Sequence, residues 1–384
     1  MKFRSMTAVF LGVILIGALA GCGGGGGGMS SSSGTGRVTT YVADSPLNQY
    51  SSVLVTLYNV ELGSQGTYTQ TFSSSTGEQV NLAALSGVAQ FLNSYGGIPA
   101  GTYNSVRVTI GNTMSLTPVN STSSITATIN PAVGTAVGSN ELQIVFSLPT
   151  PMQISNGTNA NLAVDFNLPG FVINGNNVDQ MPIQEQSESE FQSEAKNCRI
   201  YGQVSNYTPA TSTTAASFTL TSPRGTFSVT GSSGMQIIDQ TNGSFGTSAT
   251  LQNGDNVLVK GTIDPTTMTI TATSVFILPP QATNGSAVAA LEGTVQSVDT
   301  SANSFTVLAD DMENMNAQSG VVTVQTGSQT KFIQVGLGEG LGLSQTTFSS
   351  LKTGEKVDIL GTYSGSILDA AMVRIKNEGP TVVN

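Results

Sequence analysis

The sequence predicts an all-β protein, with an N-terminal antiparallel β-sandwich that contains one short helix and, after it, two copies of a smaller β-domain. Two observations predict this fold class. Six segments between residues 37 and 173 alternate apolar and polar side chains with a period of two, and a set of motifs beyond residue 199 occurs twice. Only 9% of the residues are charged, so small polar residues must cover the surface, which is more typical of an exported β-protein than of a cytosolic enzyme.

The alternating segments define the predicted sandwich. Each has one apolar face to pack and one polar face for solvent, as the strands of two stacked antiparallel sheets do. The segments lie at residues 38–42, 53–57, 106–110, 125–129, 142–146 and 162–166.

One helical interruption of the sandwich is predicted at Asn81 to Leu92. There, Leu82, Leu85, Ala89 and Leu92 fall at helical spacing. Such a helix would cover the core of the sandwich, and this structural role is enough to explain it.

An acidic segment, 177–198, separates the sandwich from the rest of the chain. Its sequence QMPIQEQSESEFQSEAK (180–196) lacks glycine and carries four glutamates. This composition predicts a linker or a short exposed helix whose glutamates form a solvated face.

The C-terminal part contains an internal duplication. The motifs YGQV (201–204), SFTL (217–220) and LQNGDNVLVKG (251–261) recur as EGTV (292–295), SFTV (304–307) and LKTGEKVDILG (351–361). Because the same glycine turn, alternating strand and second glycine appear in the same order, two copies of one small β-domain are predicted, at 199–279 and 288–378.

Two resemblances follow from these motifs. GRVTTYVADSP (36–46), VLVTLYNVEL (53–62), VNL (80–82), IPAGTY (98–103), VRV (106–108) and LAVDFN (162–167) make the segment 37–176 similar to domain-of-unknown-function family 4382, which occurs in bacterial envelope lipoproteins. The duplicated motifs resemble the small envelope β-barrel modules of domain-of-unknown-function family 5666, which implies two barrels of oligonucleotide-binding-fold-like shape. Neither resemblance implies an activity. Nucleic acid is not an expected partner, because the repeats lack a basic groove interleaved with aromatic residues.

The N-terminal segment predicts export and a lipid anchor. Lys2 and Arg4 precede an apolar run that is shorter than a transmembrane helix of about 20 residues, so residues 1–21 are expected to be a signal peptide. Its end, LAGC (19–22), resembles a bacterial lipobox, which implies cleavage before Cys22 and acylation of that cysteine. Residues 22–36 are rich in Gly and Ser and are expected to form a flexible tether.

The chain lacks the residues that several kinds of catalysis and metal binding require. The chain has no histidine, so the usual serine triad, the Cys–His pair and histidine-ligated zinc or haem cannot be built. No cofactor is expected. With Cys22 acylated, Cys198 is a single thiol, and it is interpreted as buried or incidental. The glycine-rich run 336–342 lacks the spacing of a phosphate-binding loop and is interpreted as a barrel loop.

An oxygen-only calcium site is one alternative that the composition allows. Asp310, Asp311 and Glu313 form the best acidic cluster, but their spacing is not that of a calcium-binding loop, and a charged loop tip is the other interpretation. A carboxylate-dependent hydrolase using Asp310 and Asp311 is a related alternative.

The function expected from the sequence is therefore that of a lipid-anchored cell-envelope protein, with the outer membrane as its expected location. It would act as a non-catalytic binding or structural module, attached to the membrane through Cys22, with an envelope protein or a glycan as possible partner. A surface adhesin or glycan-binding protein is the first alternative, and the hydrolase is the second. The net charge of −10 disfavours nucleic acid and anionic bilayer surfaces as partners.

Overall fold

The computed structural model describes residues 34–44, 49–119, 121, 123–239, 250–278, 288–313, 315, 317, 319–335 and 343–376, with the backbone alone at positions 288, 313, 335 and 343. Within these residues the chain forms strands β1–β24 and one α-helix. The predicted all-β class is confirmed. The described residues belong to a single compact unit.

The N-terminal part is a sandwich of two sheets. Sheet I has the order β12-β9-β1-β4 and consists of β1 (Thr35–Ala43), β4 (Val88–Pro99), β9 (Asn159–Asp165) and β12 (Gln184–Glu185). Sheet II has the order β10-β11-β6-β5-β2-β3, with β8 on β5 and β7 on β8. Its strands are β2 (Tyr50–Ser64), β3 (Thr67–Asn81), β5 (Gly101–Pro118), β6 (Ile125–Ile129), β7 (Thr135–Val137), β8 (Glu141–Ile154), β10 (Val172–Asn174) and β11 (Asn177–Gln180).

The sandwich core lies between the two sheets, where the alternating side chains meet. Val42 and Leu92 of sheet I share one buried cluster with Val55, Val108 and Leu116 of sheet II. The six segments of predicted strand lie in β1, β2, β5, β6, β8 and β9, so the period-two pattern located these strands correctly.

The helix predicted at Asn81 to Leu92 is wrong. Residues Leu82–Ala84 form a single 3₁₀ turn, and β4 begins at Val88. The physical reason is that β4 is buried on both faces: Leu92 packs into the sandwich, whereas Ala89 and Phe91 belong to a second core on the other side of sheet I. A strand buried on both faces loses its alternation, so its apolar residues can coincide with helical spacing.

The two copies of the smaller domain are closed five-stranded barrels. Barrel 1 closes in the order β13-β14-β15-β17-β16 and back to β13. Its strands are β13 (Ala195–Thr208), β14 (Ser217–Ser222), β15 (Gly225–Asp239), β16 (Asn256–Asp264) and β17 (Thr269–Ile277). Barrel 2 closes in the equivalent order β18-β19-β20-β24-β23 and back to β18, and it also contains β21 and β22. Its strands are β18 (Val288–Asp299), β19 (Ser304–Glu313), β20 (Val321–Gln325), β21 (Lys331–Val335), β22 (Leu343–Thr346), β23 (Lys356–Ser364) and β24 (Ile367–Lys376).

The duplicated turn has the same geometry in both barrels. Gly254 and Gly354 have φ angles of 95° and 89°, a region in which glycine is favoured because it has no Cβ. The amide of Gly254 donates to the carbonyl of Val204, and that of Gly354 donates to the carbonyl of Val295, each at 2.8 Å. The repeated sequence therefore specifies a repeated local structure.

The second glycine of each repeat is required for close strand packing. A Cβ on Gly361 would overlap the carbonyl oxygen of Asp369, and one on Gly261 would overlap that of Thr271. We expect Gly361→Ala to lower the free energy of unfolding by about 1–3 kcal/mol, as overpacking does. Gly327→Ala, in open space of the same barrel, should change it by less than about 0.5 kcal/mol. Denaturant unfolding followed by circular dichroism checks this, and equal effects of the two substitutions would contradict it.

The segment 177–198, predicted as a linker or a short exposed helix, connects the sandwich to barrel 1 through ordered structure. It contains β11, β12, the helix α1 (Glu188–Ser193) and the start of β13. A capping box between Ser187 and Glu190 begins the helix, and Phe191 is buried. Strand β13 pairs in parallel with β4 from Ala195 to Asn197. Sheet I therefore continues into barrel 1.

The outer face of sheet I completes the core of barrel 1. Tyr41 and Phe91 are fully buried and share one cluster with Phe227 of β15. The Phe91 ring makes edge contacts with Tyr41 at 5.8 Å and with Phe227 at 5.6 Å between centroids. Barrel 1 and the sandwich thus share a continuous hydrophobic core.

The two barrels pack against each other through equivalent faces. In the duplication, Leu258 corresponds to Asp358 and Phe276 to Arg374. Leu258 lies opposite Phe276 on neighbouring strands of barrel 1, as Asp358 lies opposite Arg374 in barrel 2. An apolar cluster joins Ile238, Leu258, Phe276 and Leu278 of barrel 1 to Ala290, Ile333, Leu360 and Met372 of barrel 2. The guanidinium of Arg374 lies 5.3 Å from the centroid of the Phe276 ring. The interface therefore joins equivalent strands of the two barrels, β16 and β17 with β23 and β24, through different side chains.

Candidate functional site

A cleft of about 420 Å³ lies where the sandwich and the two barrels meet, and we call it the junction cleft. Its volume falls in the range of small-molecule sites. The sandwich contributes apolar residues and amides from the end of β3, the following 3₁₀ turn and the start of β4. Barrel 1 contributes β13 and β16, and barrel 2 contributes charged residues. The lining residues on which the description depends are Asn81, Leu85, Gln90, Asn197, Cys198, Arg199, Lys260, Thr262, Glu292, Asp310 and Asp311.

Two ion pairs between the lining residues of the cleft join the two barrels. Arg199 of β13 contacts Asp311 of β19 at 2.6 Å. Lys260 of β16 contacts Glu292 of β18 at 3.0 Å and Asp358 of β23 at 3.5 Å. These groups come from strands that the two barrels bring together, and Arg199 and Asp311 are 112 residues apart in the chain.

Asp358 is the most buried acid of this network. The residue is 2% exposed and pairs with Arg374, with Lys376 at 3.1 Å and with Lys260. Burial alone would raise the pKa of Asp358, but Lys260, Arg374 and Lys376 together hold it below its usual value. Asp358 is therefore ionised and neutralised by three cations.

Glu292 shares two of its cations with Asp358. It contacts Lys376 as well as Lys260. Burial and the neighbouring Asp358 raise the pKa of Glu292, while Lys260 and Lys376 lower it, and the net direction is downward. Glu292 is thus a fixed negative charge at neutral pH rather than a group that exchanges protons.

Asp310 and Asp311 lie in strand β19, so their interpretation as a charged loop tip is wrong. The strand forms because this stretch pairs with β18, with Asp311 opposite Glu292. The two carboxylates have different partners, since Asp310 contacts Lys356 at 2.5 Å and Asp311 contacts Arg199. Burial raises the pKa of Asp310, against the lowering effect of Lys356.

The calcium alternative gains no support from this arrangement. The side chain of Glu313, the third acid of the candidate cluster, lies outside the described residues. Across the described ranges, no group of three or more His, Cys, Asp or Glu residues is arranged to hold a metal ion.

Cys198 is buried in the wall of the junction cleft, as predicted. It is 5% exposed and belongs to the hydrophobic core that barrel 1 shares with sheet I. Burial raises the pKa of the Tyr41 phenol, and the neighbouring Cys198 raises it further.

Several predicted features lie outside the described residues. They are the signal peptide 1–21, Cys22, the tether up to residue 33 and the glycine-rich run 336–342. Among the residues that are described, the chain has no helix with the length and apolar character needed to cross a bilayer.

The fold and the cleft define the class of this protein: an all-β chain in which a sandwich and two barrels are joined around a charged cleft. Residues 35–181 match the family model described as Domain of unknown function (DUF4382), which supports the resemblance expected for the sandwich. No curated protein matches the chain.

Sequence reasoning missed most of the charged network. Lys260, Glu292 and Asp358 lie in the duplicated motifs, where the pattern predicts only repeated strands. A signal was present, because the aligned copies place Tyr201 against Glu292 and Leu258 against Asp358. Positions that are apolar in one copy and charged in the other indicate a face whose environment differs between the copies.

Proposed function

We propose that this chain is a lipid-anchored cell-envelope protein that acts as a non-catalytic binding or structural module. The observation that most supports a binding or structural module is the way the three units are joined. A continuous sheet, a shared core and an ion-pair network hold the sandwich and both barrels in one body. Such a body suits a rigid module that presents a fixed surface and a preformed cleft.

The chemistry of the junction cleft favours binding over catalysis. A glycoside hydrolase needs two carboxyl groups free to act on either side of a substrate bond. Here Asp310 and Asp311 each form an ion pair with a basic side chain, and Glu292 forms one with Lys260. The alternative of a glycan-binding protein lacks its usual aromatic platform in this cleft, because the described lining contains no aromatic ring.

The proposed anchor is tested with the two cysteines of the chain. In cells fed a clickable fatty acid, the wild-type protein should become labelled at Cys22 and should fractionate with membranes. Cys22→Ser should lose both properties, whereas Cys198→Ser, the matched control, should keep them. Labelling that persists in Cys22→Ser, or a soluble wild-type protein, would contradict the anchor.

The non-catalytic part of the proposal has its own test. The purified protein is assayed against a panel of glycosides and esters, beside Asp310→Asn and Asp311→Asn. We expect no turnover above that of buffer for any of the three proteins. Turnover by the wild type that either substitution abolishes would establish the hydrolase instead.

A further inference from the structure

The junction cleft contains a row of three uncharged polar side chains that its ion pairs do not use. In the sheet that runs from the sandwich into barrel 1, Gln90 of β4 lies opposite Asn197 of β13, and Asn197 lies opposite Thr262 of β16. All three residues line the cleft. We call them the polar row. Because neighbouring strands are about 4.8 Å apart, the polar row spans about 10 Å.

The alternation of the strands directs the polar row into the cleft. The neighbours of these residues in the chain belong to the core that sheet I shares with barrel 1, and they are Ala89, Phe91, Cys198 and Ile263. Successive side chains of a strand lie on opposite faces of the sheet. The polar row therefore lies on the face turned away from that core, which is the face that lines the cleft.

The side chains of the polar row are accessible to a ligand. Asn197 and Thr262 are exposed, and Gln90 is half-buried. Within the described ranges, no hydrogen bond joins any of these three side chains to another residue of the protein. The row therefore offers amide and hydroxyl groups that a ligand can use without displacing a partner.

The charged side chains of the cleft are already paired with one another or with a neighbouring strand. Each charged lining residue takes part in an ion pair, and these residues are Arg199, Lys260, Glu292, Asp310 and Asp311. A charged ligand would have to separate one of these pairs, whereas an uncharged ligand leaves them intact. The hydrogen-bonding capacity that remains in the cleft thus suits an uncharged ligand.

We propose that the junction cleft binds an uncharged peptide segment of about three residues, in extended conformation and held by the polar row. The inference rests on the proposed function, because it names the ligand class of the cleft in a binding module. A side-chain amide carries one carbonyl acceptor and an NH₂ donor, so Gln90 and Asn197 can each accept from an N–H and donate to a C=O of a peptide backbone. Three residues of extended chain cover about 10 Å, which is the length of the polar row.

The other walls of the cleft favour a peptide over a saccharide. Ala84, Leu85 and Val88 form an apolar side, against which small aliphatic side chains can pack. The described lining contains no aromatic ring on which a sugar could stack. The volume of about 420 Å³ falls in the range of sites that enclose small ligands.

The test is saturation-transfer difference NMR on the full chain purified in detergent. The probes are N-acetyl-alanyl-valyl-alanine methylamide, the free tripeptide alanyl-valyl-alanine, which has the same side chains but charged ends, and cellobiose. The blocked peptide should bind, and it should bind more tightly than either of the others. Its dissociation constant should change by less than about two-fold between about 50 and 500 mM salt, because no ionic contact holds it.

Substitutions locate the bound peptide. Gln90→Met combined with Asn197→Leu keeps the side-chain size but removes both amides, and it should weaken binding by at least about ten-fold. Thr262→Val, which removes one hydroxyl, should weaken binding to a smaller extent and serves if the double variant does not fold. Asn256→Leu, at an exposed position of β16 outside the cleft lining, is the matched control and should leave the affinity unchanged. Circular dichroism shows whether each variant is folded.

Four results would overturn the proposal. They are no binding of the blocked peptide, binding of the free tripeptide or cellobiose that is as tight or tighter, an affinity that salt lowers by more than about two-fold, and an affinity that the substitutions in the polar row leave unchanged. Fatty-acid labelling of Cys22 and turnover are measured on the same preparation. Failure of the peptide with both of those results as expected rejects the ligand class alone, whereas loss of labelling with peptide binding retained rejects the anchor alone.

Discussion

Asp358→Asn is expected to lower the free energy of unfolding by about 3–5 kcal/mol, the usual cost of removing one partner of a buried ion pair. The substitution keeps the shape of the side chain but leaves Arg374, which is 9% exposed, and Lys376 without their shared carboxylate. Urea unfolding monitored by circular dichroism measures the change. Asp369→Asn, at an exposed position on the same barrel, is the matched control and should change stability by less than about 0.5 kcal/mol.

Barrel 1 supplies a compensating pair for the same experiment. At the positions equivalent to Asp358 and Arg374 it carries Leu258 and Phe276, which pack in the interface. Buried ion pairs can be replaced by apolar residues at little cost, so Asp358→Leu combined with Arg374→Phe should recover part of the stability that Asp358→Asn loses. A single Asp358→Asn variant as stable as the wild type would contradict the importance of this pair.

The same carboxylate gives the stability a pH dependence of known sign. Because the pKa of Asp358 is lowered in the folded protein, its contribution is present above the unfolded pKa of about 3.9 and is lost as the pH falls below it. The wild type should therefore lose more stability than Asp358→Asn between neutral pH and strongly acidic pH.

Phe91→Ala should be comparably destabilising, by about 3–5 kcal/mol, which is typical of a buried phenylalanine replaced by alanine. Phe91 is 1% exposed and contacts both Tyr41 and Phe227. The cavity would open in the core that sheet I shares with barrel 1, so both units should lose stability together. Tyr95→Ala, on the same strand but 45% exposed, is the control.

Thermal unfolding of Phe91→Ala, followed by differential scanning calorimetry, tests this coupling. One cooperative transition at a lower temperature is the expected result. A new low-temperature transition for barrel 1 alone, with the sandwich unchanged, would show that the shared core does not couple the two units.

The strands of the sandwich could be predicted because their alternation records one buried and one exposed face. The duplication could also be recognised from the sequence, since equivalent turns need the same glycines. Strand β4 could not be predicted in this way, because contact with barrel 1 buries its outer face, and a local pattern contains no information about a partner supplied by residues beyond position 195. The same reason explains why the sequence predicts a linker or a short exposed helix around Phe191, whose side chain is buried in the core shared with barrel 1.

The junction cleft was less predictable than the fold. Its ion pairs join residues that are 32 to 112 positions apart, and spacing along the chain does not reveal such pairs. The sequence indicates Asp310 and Asp311 as part of an acidic cluster, but their cations lie in other strands, and only the packing of two barrels brings Arg199 to Asp311.

The interface between the barrels also explains why the two copies cannot be exchanged. Lys260 of barrel 1 meets Asp358 of barrel 2, while the residues at the reversed positions, Leu258 and Leu360, share one apolar cluster. Two copies of barrel 1 would set Lys260 against Leu258 on both sides, and two copies of barrel 2 would set Asp358 against Leu360. Charge opposite charge and aliphatic opposite aliphatic arises only from one of each, so the differences between the two copies make a mixed pair the better matched one.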